Sequence, residues 1–179
     1  MSQTPATRPK PPAGGAAAEP EQYLTFVIGN EIFAIPIQHI REIIEFDGLT
    51  PVPLMPGFLR GVINLRGAVV PVIDLAARFG RDSVEISRRT CIIILELEED
   101  DATQILGIIV DAVNEVLTVG SGDIEPPPAF GANIRSNFID GMLRREESFI
   151  ILLDVQQVLS VEELATLAEV GAGETASPR

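Results

Sequence analysis

The stretch Asn64-Leu-Arg-Gly-Ala-Val-Val-Pro-Val-Ile-Asp-Leu75 follows the apolar run Gly61-Val-Ile63, and its reading decides the fold. An apolar run, a turn dipeptide and a second β-branched run closed by an aspartate spell a β-hairpin. Gly67 suits the positive φ that a type II turn demands at its third position, which places Arg66 at the tip with its side chain outside the sheet. Pro71 has no N–H to give to a ladder, so its strand is expected at a sheet edge or with the proline at a bulge. Asp74 stands where it can cap a helix begun by Leu75, Ala76 and Ala77.

Upstream, Gln22 to Ile28 and Glu31 to Ile35 are two short apolar runs across the dipeptide Gly29-Asn30, a first hairpin. Pro36 suits the first position of a helical turn, and the pattern from Ile37 to Phe46 reads as one helical turn followed by a strand. Thr50 to Pro56 holds too many prolines for a ladder and makes an extended connection into the Arg66 hairpin.

The second half repeats this order. Phe33 to Ile44 aligns without a gap on Leu106 to Leu117, with Glu42 opposite Glu115. Phe58-Leu-Arg-Gly61 aligns on Phe138-Ile-Asp-Gly141, and Val69 to Leu75 on Phe149 to Val155, so that Asp74 matches Asp154. Each unit amounts to about five short strands and a helical turn, and two copies imply two related barrels whose closure removes strand edges. The expected organisation is a leader over 1–20, one domain over 21–170 and a tail over 171–179. Both ends read as disordered, since they are too poor in large apolar side chains to offset ordering entropy. Within the domain, barrel one is expected at about 22–75, barrel two at about 89–155, and a C-terminal helix at about 160–170. That helix opens on Ser160-Val-Glu-Glu163, which spells a capping box.

Composition agrees with an all-β reading. The 179 residues are 46% apolar with a mean hydropathy of +0.26, no Trp and one Tyr, so the core must be built mainly of Ile, Val and Leu, which favour strands. A formal net charge of -13 disfavours nucleic acid and anionic membrane as partners. One cysteine, Cys91, fits a reducing compartment. The start shows no signal-peptide pattern and no apolar run approaches a membrane span, so a soluble cytoplasmic protein is expected.

Asn64-Leu-Arg-Gly67 followed by Val70-Pro-Val-Ile-Asp-Leu75, with Ile40-Arg-Glu-Ile43 upstream and Gly107-Ile-Ile-Val-Asp111 downstream, resembles the CheW family of chemotaxis coupling proteins. The match runs from about Gln22 to Leu167. The resemblance implies two tandem five-stranded SH3-like β-barrels in an all-β fold with short helices. It also implies a non-enzymatic adaptor that links chemoreceptor tips to the regulatory domain of a histidine kinase, in arrays on the inner face of the membrane. Further copies of the coupling protein are implied partners, and no cofactor is. Motif matching puts Ile40, Glu42, Ile43, Arg66 and Val116 on receptor-coupling positions and Phe130 on a kinase-contact position. Glu125 departs from the pattern, standing where some relatives carry Arg. The same coupling role in a pathway with an output other than swimming is the alternative.

Residue chemistry gives catalysis little support. His39, the only histidine, has no cysteine neighbour to share a metal and no Gly-x-Ser-x-Gly elbow to serve, and is read as structural or solvated. Cys91, between apolar residues, is read as an inert core thiol. Glu96 to Asp101 lacks the spacing of a calcium loop and reads as a solvated hairpin tip. Gly61 to Gly67 lacks the Lys-Ser/Thr of a phosphate loop. Asp74 and Asp154 read as caps rather than as a catalytic pair. Arg66 and Glu42 are expected to be able to pair, at a contribution of about 1 kcal/mol at most.

Overall fold

The structure is a computed structural model that describes residues 20–55, 57–99, 101–126, 136–146 and 148–159. The expected leader up to residue 19, the tail and the 160–170 helix lie outside these residues. The first hairpin joins β1 (Glu21–Ile28) to β2 (Glu31–Pro36), with Gly29 at φ +65 in the turn. A 3-10 turn, Ile37–His39, then leads into β3 (Ile40–Glu45), so the stretch after Pro36 is a helical turn followed by a strand. After the proline-rich connection come β4 (Leu59–Leu65), β5 (Ala68–Asp74) and α1 (Leu75–Arg78). The second half supplies β6 (Cys91–Glu99), β7 (Ala102–Val110), β8 (Ala112–Val119), β9 (Ile124–Glu125), β10 (Ile139–Arg145), β11 (Ser148–Leu153) and α2 (Val155–Val158).

These strands form two sheets that do not follow the halves of the sequence. One sheet has the order β3-β6-β7-β5-β4 and the other β8-β1-β2-β11-β10-β9. The β1–β2 hairpin of the first repeat therefore sits in the second sheet, and the β6–β7 hairpin of the second repeat sits in the first. Across the barrel spans expected at 22–75 and 89–155, each sheet thus takes one hairpin from the other half of the sequence. The first sheet has five strands. The second has six because the two-residue β9 pairs with β10, where the first has only a bridge between Thr50 and Val62.

The hairpins exchange because parallel pairing is available at equivalent places. Val72 to Asp74 of β5 pair with Gly107 to Ile109 of β7, and Ile150 to Leu152 of β11 pair with Ile32 to Ala34 of β2. Pro71 stands one residue before the β7 pairing begins, so β5, although an inner strand, is open on that side where the proline falls. Closure does not remove the edges. Among the described residues the end strands are β3 and β4 in the first sheet, β4 carrying the Thr50 bridge, and β8 and the two-residue β9 in the second.

A continuous core ties the barrels together. It takes Phe26, Phe33 and Ile35 from the second sheet and Val72, Ile73 and Ile92 to Leu95 from the first. Ile92 to Leu95 are consecutive on β6 and all buried, so that strand is covered on both faces. A smaller cluster of Tyr23, Ala34, Val119, Leu143, Ile150 and Leu152 belongs to the second sheet alone.

Candidate interaction surface

β3 carries three of the residues singled out in the sequence, and its burial alternates along the strand. Ile40 and Ile44 pack against the core while Ile43 is 41% exposed, so Ile40 and Ile43 do not form one apolar patch. The register shifts at Arg41, where Ile40 faces Leu95 and Glu42 already faces Ile94. Such a bulge twists an edge strand and re-aims its side chains, which suits a strand that must present groups without pairing to another edge. Arg41 itself reaches Glu96 at 3.3 Å.

The Arg66 hairpin differs in turn type from the expectation. Arg66 has φ +51 and Gly67 φ +92, so both central residues are left-handed, as in a type I′ rather than a type II turn. The primed turn matches the twist of β4 and β5, and the Asn64 side-chain oxygen accepts from Gly67 N at 2.9 Å. A left-handed arginine is strained by about 1 kcal/mol or more, since its Cβ crowds the following carbonyl. Its side chain, 67% exposed, donates to the carboxylate of Glu42, which is 27% exposed. The structure thus brings Arg66 and Glu42 together across strands that are not neighbours in the sheet. Beside this pair, where β5 and β7 have yet to meet, opens a cleft of about 590 Å³ lined by Arg41, Arg66, Val69, Pro71 and Ile105.

On the second barrel, Val116 is 48% exposed on the edge strand β8. It is the repeat equivalent of Ile43, so the two barrels show an apolar residue at matching places on their free edges. The Thr25 hydroxyl fills the irregularity beside Val116, donating to the Glu115 carbonyl at 2.8 Å and accepting from the Glu115 amide at 3.0 Å. Phe130 lies outside the described residues. Glu125 takes Arg144 as its partner, with both guanidinium contacts at 3.1 and 3.2 Å, and Arg144 lies over the Phe149 ring at 5.0 Å. Sequence reasoning missed Val69 and Phe149, which are repeat equivalents and stand 69% and 42% exposed. A strand position that stays apolar in both copies yet points outward was the available signal.

The groups considered for chemistry are occupied structurally. Asp74 caps α1 through Ala77 N at 3.1 Å and also receives Arg60 at 2.5 Å and Val84 N at 3.0 Å. Asp111 receives Gly29 N at 2.6 Å, and Asp154 caps α2 through Gln157 N at 3.2 Å. The acids that do influence one another are Asp140 and Asp154: burial, then the charges of Asp154 and Glu21, push the Asp140 carboxyl above its usual range. Burial, reinforced by Glu21 and Asp140, pushes the Tyr23 phenol up to about 12. Cys91 is half-buried, with its thiol donating to the Arg89 carbonyl at 3.4 Å, and burial followed by the Glu45 charge raises its pKa. Among the described residues no group of three or more His, Cys, Asp and Glu could hold a metal ion, and no helix is long and apolar enough to cross a membrane.

Two SH3-like barrels with an exposed charged turn and apolar edge strands define a scaffold class of protein. The family model for the CheW-like domain matches residues 22–163. The chain is 34% identical to the chemotaxis protein CheW of Klebsiella aerogenes over 150 residues, 84% of this chain and 88% of that protein. It is 35% identical to the chemotaxis protein CheW of Rhizobium meliloti over 142 residues, 79% of this chain and 89% of that one. Among solved structures it resembles the scaffolding protein TtCheW of Thermoanaerobacter tengcongensis, with a TM-score of 0.70 and 34% identity over 79% of this chain and 94% of that one. The chain belongs to the CheW-like domain family of chemotaxis scaffolds.

Proposed function

We propose that this protein is a non-catalytic coupler that joins chemoreceptor tips to the regulatory domain of a chemotaxis histidine kinase, within arrays at the inner face of the membrane. The observation that carries this reading is the Arg66–Glu42 pair, set on a strained turn beside a free strand edge. An exposed pair of this kind contributes about 1 kcal/mol or less, so it does not repay the turn strain through stability. It is a pair that can be exchanged for contacts to a partner at little cost. Ile43 and Val116 supply the apolar contact on either barrel, Ile40 supports β3 from beneath, and Phe130 is assigned to kinase contact through its motif.

Binding to the two partners separates these roles. Ile43→Glu is expected to weaken co-sedimentation with receptor-containing membranes about tenfold or more while leaving co-purification with the kinase regulatory domain intact. Phe130→Ser is expected to do the reverse. Wild-type binding of both partners by both variants would overturn the assignment.

A further inference from the structure

Arg78, the last residue of α1, touches both barrels at repeat-equivalent places. Its guanidinium carbon lies 5.0 Å from the ring centre of Phe58 and 5.0 Å from that of Phe138. Those two phenylalanines are equivalents in the repeat, each giving its carbonyl to the backbone N–H of a capping aspartate, Asp74 at 2.7 Å and Asp154 at 2.8 Å. The Arg78 Nε–H also donates to the Val158 carbonyl at 2.9 Å, and Val158 is the repeat equivalent of Arg78 itself. One arginine thus spans the line about which the two barrels are related. Two arginines there would set like charges against each other, whereas arginine facing a valine carbonyl does not.

Two further contacts cross this boundary: Arg81 Nη1 pairs with Glu31 Oε1 of β2 at 2.6 Å, and the Phe79 ring packs apolar surface. Phe79 stacks on Phe33 at 5.3 Å and approaches Phe138 at 6.2 Å within the shared core. Apolar packing attracts the barrels without fixing an angle, because it depends on area more than on direction. A cation within 5.0 Å of two ring centres that also donates to a carbonyl does depend on direction. The barrel angle in turn sets how Ile43 on one free edge stands relative to Val116 on the other.

We infer that Arg78 is the positioning residue of the joint between the barrels, fixing their mutual angle and thereby the spacing of the two exposed edge surfaces. The consequence for coupling rests on the function proposed above; the joint itself does not.

Residual dipolar couplings of backbone amides in the full chain read that angle directly. In the wild type one alignment tensor is expected to fit the amides of both barrels. In Arg78→Leu, which keeps an apolar stem but loses the cation and the Nε donor, each barrel is expected to keep its own fit while the two tensors diverge. Arg78→Lys provides a second variant: it keeps the charge and the stem but lacks the guanidinium that meets both rings and the carbonyl, and is expected to give a smaller divergence. It serves alone if the leucine variant does not fold. One common tensor in every folded variant overturns the inference, whatever happens to binding. Divergent tensors accompanied by a fall of about tenfold in receptor binding support both the joint and its role in coupling. Divergent tensors with wild-type receptor binding keep Arg78 as the joint and count against the coupling reading.

Discussion

At the bulge that opens the fourth strand of the first barrel stands Arg60, and at the same bulge of the second barrel stands Asp140. Each faces the aspartate that caps the following helix, so the first barrel has an ion pair where the second has two acids. The Arg60–Asp74 pair is buried on the acid's side and also receives Val84 N, while Arg60 donates to the Val84 carbonyl at 3.2 Å. It therefore fastens the segment that runs from α1 to β6, between two strands of the same sheet. The fold requires only the capping aspartate and its bond from the backbone, which both barrels keep. What stands opposite the cap is free to vary, and the first barrel uses that freedom to hold its own α1–β6 connection.

Removing the caps should show the difference most strongly. Asp74→Ala leaves Arg60 and the Val84 amide without their buried acceptor and is expected to cost about 3–5 kcal/mol in denaturant unfolding. Asp154→Ala loses a more exposed cap and is expected to cost about 1 kcal/mol. Equal costs would break the distinction between the barrels.

The glycines after the two bulges come next. A Cβ on Gly61, at φ +155, would meet the Thr50 carbonyl oxygen at 2.3 Å, and that oxygen is held in a backbone bridge to Val62. On Gly141, which has no positive φ, the nearest atoms would be the Ile124 Cγ2 methyl at 2.5 Å and the Glu125 carbonyl oxygen at 3.2 Å, a less severe approach to backbone. Gly61→Ala is expected to cost about 2–3 kcal/mol and Gly141→Ala about 1 kcal/mol.

The smallest effect concerns the two acids. Because folding raises the Asp140 pKa, its contribution favours the folded state below the unfolded carboxyl range near about 4 and is lost as pH rises through the higher folded value. At neutral pH its charge is a cost. Asp140→Asn is expected to raise the melting temperature by about 1–3 °C at pH 7 and to leave it unchanged at pH 3. A fall at pH 7 would show that the carboxylate is stabilised rather than strained.

Local features were legible in the sequence because local chemistry decides them. The Gly29-Asn30 turn, the helical turn after Pro36 and the caps at Asp74 and Asp154 each depend on a few neighbouring residues. Strand partnership was not legible in the same way. The β1–β2 and β6–β7 hairpins have the same apolar character, so an aligned repeat cannot say which copy completes which sheet. The primed turn was hidden as well, because an arginine at positive φ has no marker in its own residue type. Of the candidate surface, the Arg66–Glu42 pair was foreseen, whereas the opposed burial of Ile40 and Ile43 emerged only with the register of β3.

The hairpin tips hold the functional form of the contrast. Arg66 and Glu146 occupy equivalent turn positions, both left-handed, at φ +51 and +48, with opposite charge. The turn belongs to the fold, and the cation belongs to the first barrel alone. The most direct measurement is receptor-controlled kinase activity, reconstituted with Arg66→Asp and with Glu146→Lys. Control is expected to be lost in the first and kept in the second, with both variants melting within a few degrees of the wild type. Normal receptor control by folded Arg66→Asp would contradict the role given to that turn.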